Sequence, residues 1–553
     1  MNKVYSLIVI IIVMLIVGSC SQITSEKDCE NGGSGCPSSN SNIVDLVDAE
    51  KTAQYNPTQI VFPKIYIAEA IQSSYRDQIE GMSDVEIVES AEEADIVIDV
   101  AVKSTTEQLS SDIEWLYVIA VPFDIPVIDI DSKTIERAWQ GIRFATFNFQ
   151  PLMMSAETAA YFTEQWGAPN IHTVKILPAD EIYAKGVDNS ASWAILPIEE
   201  LDSSWRILSF DGQYPLDRQL DRRTYPLIAR YSIQMKYNGM DSDRYVLSNF
   251  DSEKMSSVLL TGTTAFVRNL AYEMETESIQ YPIKNVKDIF LSSDITHISN
   301  EVPFFDDCPP AVPLREEMRF CSSPDYLSLF DDLNLSFIEL SGNHQLDWFE
   351  GAFLETLKRY NEHHLPFVGG GANLSDALTP LEIEDHGNQF VFFSCNAVGP
   401  EQNWATEDHA GAAPCDFERM TFDISQYLED GFIPIVLLQH YEVDTITPFS
   451  LQRIDSAKLA EAGAIIISGS QSHSPQTYAL INDAVIHYGL GNMFFDQTYE
   501  PNSQSIMDRH YFYDGQYLNT QIIPIETDGN YQVQLMKENK IPTFLGALLE
   551  QMP

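Results

Sequence analysis

Positive charge is what this chain has least of. Its 553 residues carry 32 Lys and Arg against 81 Asp and Glu, a formal net charge of −49. Nucleic-acid binding needs a basic face, so no nucleic-acid partner is expected, and tight contact with anionic lipid heads is disfavoured. The acidity is spread along the chain rather than gathered in a tail, which reads as a solvated surface. From Gln59 to Ser248 there is no glycine-rich phosphate loop and no nucleophile elbow, so neither signature assigns a chemistry to the first half. Cysteine is sparse, with 7 residues, and none has zinc-ribbon spacing.

What is present begins at the N-terminus. Lys3 precedes an uncharged, mostly apolar run, Val4 to Val17, followed by Gly18-Ser19-Cys20. The layout is that of a secretory signal, too short for a comfortable membrane span. Val17-Gly18-Ser19-Cys20 resembles the lipobox of bacterial lipoproteins, which implies cleavage before Cys20, lipid on its sulfur, and a membrane-anchored protein at the cell surface or in the periplasm. Residues 1–19 are thus expected to be a signal peptide. Residues 20–57, rich in Ser, Asn, Gly and Glu, are expected to be a disordered tether. Six further cysteines allow 15 pairings. An exported context favours disulfides, and sequence proximity suggests Cys29–Cys36, Cys308–Cys321 and Cys395–Cys415. Cys395, just past the apolar run Phe390–Phe393, leaves a free buried thiol as the alternative.

Hydrophobic patterning divides the rest near residue 250. Residues 58–250 alternate strand candidates (Ile96–Val102, Leu116–Val121, Ile171–Leu177) with amphipathic stretches such as Ser155–Trp166. The segments Ile128-Asp129 through Gly141, Ser192–Pro197, Trp205–Gly212 and Tyr225-Pro226-Leu227 resemble the solute-binding domains of periplasmic binding proteins. That implies a two-lobed α/β domain with a cleft for a small-molecule solute, or a docking role. The plainer reading makes Trp139, Trp193 and Trp205 ordinary core aromatics.

The second half carries the chemistry. Two apolar, β-branched runs, Leu335–Leu340 and Ala464–Ile467, each lead into a polar segment: Ser341-Gly342-Asn343-His344-Gln345-Leu346-Asp347 and Ser468-Gly469-Ser470-Gln471-Ser472-His473. Such runs read as buried strands of an α/β sheet, and ligands bind outside the carboxyl ends of such strands. A Gly-Asn-His turn is the bland alternative, but two His-bearing segments favour a site. Hard or borderline metal ligands are carboxylate, imidazole and amide oxygen. Glu301, Asn343, His344 and His473 supply them from separate strand ends. His440 and Glu442 follow a further apolar run, and Asp347 is spaced to orient the His344 imidazole. His297, about 13 Å from Glu301 by strand rise, is expected to be structural or supporting.

Asp294 through Pro303, Gly342-Asn343-His344 with Asp347, Gly369–Asn373, Gly469–His473 and Tyr488–Gln497 together resemble the CapA capsule-synthesis family over residues 255–500. The resemblance implies a calcineurin-like metallophosphoesterase fold, an α/β sandwich of two sheets flanked by helices, with residues 501–553 packing on it. It implies a divalent metal (Mn, Zn or Fe), with catalytic roles for His344, Asp347 and His440 and metal ligands in Glu301, Asn343, His344, His473 and Glu442. It also implies a part in synthesis or processing of an exported poly-γ-glutamate-like polymer, with capsule-export proteins as partners. Two departures stand out. The family's first strand ends in Gly-Asp, where this chain has Gly262-Thr263, and Gln471 stands where the family has the first of two histidines. The expectation is a metal-dependent hydrolase with an incomplete ligand set, binding one metal or none. The alternative is a non-catalytic lipoprotein that binds polymer or solute and organises the envelope.

Overall fold

A computed structural model describes residues 62–101, 113–187, 192–237, 241–313 and 319–553. The signal segment, Cys20, the tether and the Cys29–Cys36 pair lie outside the described residues. The fold below is that of the compact unit Val61–Pro553.

Residues 64–235 build a nine-stranded mixed sheet. Its order runs Glu86–Ile87, Lys64–Ile67, Ile96–Val100, Ile228–Met235, Ile113–Pro122, Trp193–Pro197, Leu152–Met154, Val174–Ile176, with Trp205–Ile207 also pairing Ile113–Pro122. The long strand Ile113–Pro122 joins the two halves: its start pairs Ile228–Tyr231 and its later residues pair Trp193–Pro197. The helix expected at Ser155–Trp166 spans Ala156–Trp166, with the Ser155 hydroxyl accepting from the Thr158 amide at its N-cap. The strand expected at Ile171–Leu177 is only Val174–Ile176, and Ile171 is 81% exposed. Its β-branched composition was overridden because residues 171–173 form a turn, the Thr173 amide bonding the Asn170 carbonyl and its hydroxyl the Ala138 carbonyl. Trp139, Trp193 and Trp205 are all core residues.

From residue 255 two sheets stack face to face. The first runs Phe367–Val368, Phe337–Glu339, Ile295–Asn300, Met255–Leu260, Gln504–Tyr513, Gln516–Thr527, Val533–Leu535. Residues 501–553 thus contribute a hairpin to this sheet, paired antiparallel to Met255–Leu260. The second runs Leu381–Asp385, Asn388–Asn396, Ile433–Gln439, Ile466–Ser470, Ala484–His487, Tyr478–Ile481. Aromatic pairs close the space between them: Phe337 on Phe392 at 4.5 Å and Phe390 on Phe512 at 5.0 Å between centroids. Helices cover the outer faces, with Phe353, Leu357 and Tyr360 packed in one cluster beside Ile298, and Met420, Ile424 and Leu459 in another beside Val436 and Ile467. Strands covered on both faces are apolar along their whole length, as Ile433–Leu438 is. The expected sandwich is therefore the observed one.

The two regions share contacts. Asn519 accepts from the Ile207 amide at 3.0 Å and donates to the Trp205 carbonyl at 2.9 Å, and Tyr214 stacks on Tyr511 at 5.2 Å. Buried Arg206 donates to the carbonyls of Phe123 and Ile125. Disulfides join Cys308 to Cys321 and Cys395 to Cys415. Cys395 is therefore bonded, not a free thiol.

Candidate metal site at the strand ends

Ile295–Asn300 and Phe337–Glu339 run parallel and in register, Ser299 opposite Glu339. The residues just past them, Glu301 and Ser341–Asp347, therefore emerge at the same edge. Gly342 lets them meet: a Cβ there would lie 2.8 Å from the Glu301 Cα. From the neighbouring region of the second sheet, Gln439 leads to His440 and Glu442, and Ser470 to His473.

The two imidazoles are held alike. His344 Nδ1 lies 2.8 Å from Asp347 Oδ2, which also accepts from the Phe320 amide at 2.8 Å. His473 Nδ1 lies 2.8 Å from Asn492 Oδ1. The Asn492 amide nitrogen donates to Gln497 Oε1 and the Asn502 carbonyl, so its oxygen faces the ring and Nδ1 of His473 must be the donor. Each neutral ring then keeps its Nε2 lone pair, the arrangement ligating histidines commonly show. His473 Nε2 is 3.7 Å from Glu442 Oε1. Burial pushes the His344 pKa down, but the Asp347 hydrogen bond and the charges of Glu301, Asp347 and Glu442 outweigh it, and the imidazole titrates above its ordinary range. These charges therefore act on one point. Glu301 is buried, and no described group donates to its carboxylate. Asn343 Oδ1 is buried without a partner.

A divalent cation fits this donor set in kind: two imidazole nitrogens, two carboxylates and an orphaned amide oxygen. The donors are not drawn tightly together, however. Among the described residues, the trio of His and carboxylate ligand atoms that all lie within 4.8 Å of one another is Asp294, Asp385 and His386. That trio is an ion-pair network. Asp294 already receives Arg218 at 2.9 Å and Ser257 at 2.7 and 2.8 Å, and His386 Nδ1 is 2.8 Å from Asp385. Asp294 is thus already spent on protein donors, whereas Asn343 Oδ1 of the strand-end group has none.

The remaining expected residues fall as follows. His440 sits with Nε2 3.3 Å from Asp455 Oδ2, its Nδ1 unpartnered, and burial lowers its pKa. Its recorded partners lie on the helix Ser450–Glu461 and in the neighbouring Tyr441 ring, not in the His344 group. His297 Nε2 is 3.5 Å from Glu339 Oε2, a supporting place as expected. Thr263 lies beside Ser299 and Asn492, and the Oγ1 atoms of Thr263 and Thr264 are buried without partners. Gln471, at φ 77°, accepts from Gln439. Sequence reasoning missed Glu339 as a polar centre: its carboxylate accepts from Ser341, Ser394 and Ser470 beneath the site. A lone Glu in an apolar strand was the available signal. It also missed Asn492 as the His473 partner and the support Phe320 gives to Asp347.

A two-sheet α/β sandwich with carboxylate, imidazole and amide groups at its strand ends is a metallophosphoesterase-like domain. Residues 257–497 match the family model described as bacterial capsule synthesis protein PGA_cap. The PGA biosynthesis protein CapA of Bacillus subtilis (strain 168) is 24% identical over 266 residues, 47% of this chain and 68% of that protein. The capsule biosynthesis protein CapA of Bacillus anthracis is 20% identical over 281 residues, 50% of this chain and 68% of that protein. The segment 257–497 is thus similar to the CapA capsule-synthesis family. Among solved structures, the 5'-nucleotidase precursor from Thermus thermophilus aligns at 13% identity and TM-score 0.31, over 54% of this chain and 58% of that one. An ABC-type phosphate transport receptor from Vibrio cholerae aligns at 12% identity and TM-score 0.26, over 33% of this chain and 90% of that one. Nothing rests on structural likeness at that level.

Proposed function

We propose that this chain is an extracytoplasmic, lipid-anchored protein of capsule or exopolymer formation whose strand-end site is a divalent-metal-dependent hydrolase site of reduced ligand count. The supporting observation is the pair of imidazoles, each tied at Nδ1 to an oxygen and each keeping Nε2 for a ligand. Glu301, His344, His473 and the Asn343 amide oxygen would hold the cation, with Glu442 completing the set. A bound divalent cation supplies Lewis-acid polarisation of an ester, amide or phosphoryl oxygen. Asp347 and Asn492 fix the ring orientations. The proton that the surrounding carboxylates favour on His344 competes with ligation at Nε2, so cation affinity falls as pH falls. Glu442, 57% exposed and beside His473, stands at the mouth and is placed to exchange protons with a substrate group. Thr263 and Gln471 leave the second half of a two-metal site without its carboxylate and imidazole.

Metal analysis and calorimetry with manganese and zinc test this on wild type, His344→Ala and His473→Ala. Fewer than two metal equivalents are expected in wild type, and loss of binding in both variants. Two tightly held metals overturn the reduced-site reading, and equal metal content in all three proteins overturns the ligand assignment. The orphaned Thr263 and Thr264 hydroxyls favour a second reading, in which the site binds polymer without turnover. Polymer retention with no cleavage product under metal saturation would decide for it. Anchoring through Cys20 predicts that Cys20→Ser releases the protein to the soluble fraction. The N-terminal sheet would then serve as a solute-recognition or docking module for capsule-export proteins.

A further inference from the structure

One buried carboxylate lies beneath the strand-end group and is no part of its ligand set. Glu339 ends the strand Phe337–Glu339 and is sealed from solvent. Its Oε1 accepts from the hydroxyls of Ser341, of Ser394 at 3.3 Å and of Ser470 at 3.1 Å. Ser341 stands three residues before His344, and Ser470 three before His473. One oxygen therefore ties together the segments that carry the two imidazoles. His297 Nδ1 accepts from the Thr261 amide at 3.3 Å, so its Nε2 carries the ring hydrogen, and that Nε2 lies 3.5 Å from Glu339 Oε2. Burial pushes the Glu339 pKa up, but His297 and the hydroxyls of Ser341 and Ser299 outweigh it, and the carboxyl is held below its ordinary range. Burying a charge is costly even where it is paired, and closing an apolar sandwich needs no ion at this point. The sheet register adds a second observation. Ser299 is in register with Glu339 on one side and with Thr263 on the other, and Thr263 with Asn492. In-register neighbours share a face of the sheet, so Asn492, Thr263, Ser299 and Glu339 form one polar row, with the His473 partner at one end and the buried carboxylate at the other.

We propose that Glu339 is the positioning residue and buried counter-ion of the strand-end site: it pins the two histidine-bearing segments against each other and sets a permanent negative charge behind the cation. It is not a ligand, because its Oε1 already takes three hydroxyls and its Oε2 faces an N–H. A neutral amide cannot replace it. With its oxygen on the serines, the amide NH2 would meet the His297 N–H, donor against donor. The charge counts as well as the bonds. Parallel strands about 4.8 Å apart put the Cα atoms of Glu339 and Thr263 about 10 Å from each other. A unit charge acting on a divalent cation over such a range, screened as in a protein interior, is worth roughly 10–100-fold in affinity. This role rests on the strand-end group being a cation site.

Calorimetric titration of the full chain with manganese tests this, beside urea unfolding of each variant. Glu339→Gln should lose about 10–100-fold in manganese affinity. Thr263→Asp returns a carboxylate to the same row. It should recover at least about tenfold in the Glu339→Gln background and add less than that in wild type. A residue that acts by packing alone would not be rescued by a charge two strands away. Ser470→Ala keeps the carboxylate and removes one tie to the His473 segment, at a loss of about three- to tenfold, the size of one hydrogen bond to a charged group. It reads the positioning role if Glu339→Gln does not fold. Unaltered affinity in Glu339→Gln, or in Ser470→Ala where Glu339→Gln does not fold, would overturn the proposal. So would an equal gain from Thr263→Asp in both backgrounds, because the two carboxylates would then act independently. A wild-type protein that takes no manganese would sink the metal reading and the counter-ion role with it. Binding in wild type that the variants leave unchanged would sink the counter-ion role alone.

Discussion

Two His–carboxylate clusters in the sandwich are built from the same side-chain types and do opposite things. One surrounds Asp508, on the hairpin that completes the first sheet. Its Oδ1 accepts from Tyr478 at 2.8 Å and its Oδ2 faces His487 Nδ1 at 2.6 Å, with His510 alongside, bonded to Thr520 at 2.8 Å. All four polar side chains are sealed from solvent. The other surrounds His344 and His473, with a carboxylate that no described group donates to, an orphaned amide oxygen and an open rim at Glu442. In the first cluster the carboxylate is spent on protein donors, and the empty Nε2 atoms of His487 and His510 face no opening. In the second, bonding capacity is left over where solvent reaches. Composition does not separate a structural cluster from a site. Unspent valence next to an opening does.

The largest expected effect breaks the sealed cluster. Removing one partner of a buried, hydrogen-bonded charge group costs roughly 3–5 kcal/mol, so Asp508→Ala should lower unfolding stability in urea by about that amount while leaving manganese affinity at the wild-type value. His344→Ala should do the reverse. If the two variants lost stability equally, the distinction drawn between the clusters would fail.

Next comes pH. Burial pushes His510 from 6.5 down to about 4, with the Asp508 charge only partly opposing it. The folded imidazole is neutral where the unfolded one is already protonated. The unfolded state then binds more protons between pH 6.5 and about 4, and stability falls as pH falls through that window. The loss totals roughly 3 kcal/mol across the coupled cluster. Asp508 is held below the ordinary carboxylate range despite its burial, chiefly by His487, so its share disappears only at still lower pH. Urea midpoints measured from pH 7 to 4 should decline, and His510→Gln should flatten that decline. An unchanged slope in the variant would assign the acid sensitivity elsewhere.

Much of the second half was legible in the sequence. The apolar runs ending in Gly342-Asn343-His344 and Gly469–His473 did become covered strands delivering polar groups to one edge, since a strand buried on both faces must be apolar throughout and a close turn at Glu301 needs glycine. Both disulfides followed from proximity along the chain. What stayed hidden depends on pairing across long sequence distances. Nothing local marks Asn492 as the residue that sets the His473 tautomer, or Glu339 as a carboxylate fed by serines from three segments. The same limit applied to Ile171, whose composition reads as strand and whose turn, bonded to the Asn170 and Ala138 carbonyls through Thr173, leaves it exposed.

A smaller effect sharpens the open cluster. Asp347 and Asn492 orient the two imidazoles without reaching the proposed cation themselves, and loss of such partners commonly costs about 10–100-fold in metal affinity. Asp347→Asn and Asn492→Ala should each fall in that range by calorimetry, with Asp347→Asn also returning the His344 pKa toward its ordinary value, visible by proton NMR. Loss beyond that range would make either residue a ligand.

The smallest effect is expected at His440. It follows the same kind of apolar strand as the other candidates, but its Nε2 is taken by Asp455, which also pairs with Lys458 at 3.1 Å. Burial holds its pKa down, so it carries no charge to offer at neutral pH. His440→Gln, which keeps a hydrogen-bonding side chain of similar reach, should change manganese affinity by less than about threefold, well under one bidentate contact. A loss comparable to that of His344→Ala would show that His440 belongs to the open cluster, and that the unpartnered Nδ1, not the Asp455 contact, is its working face.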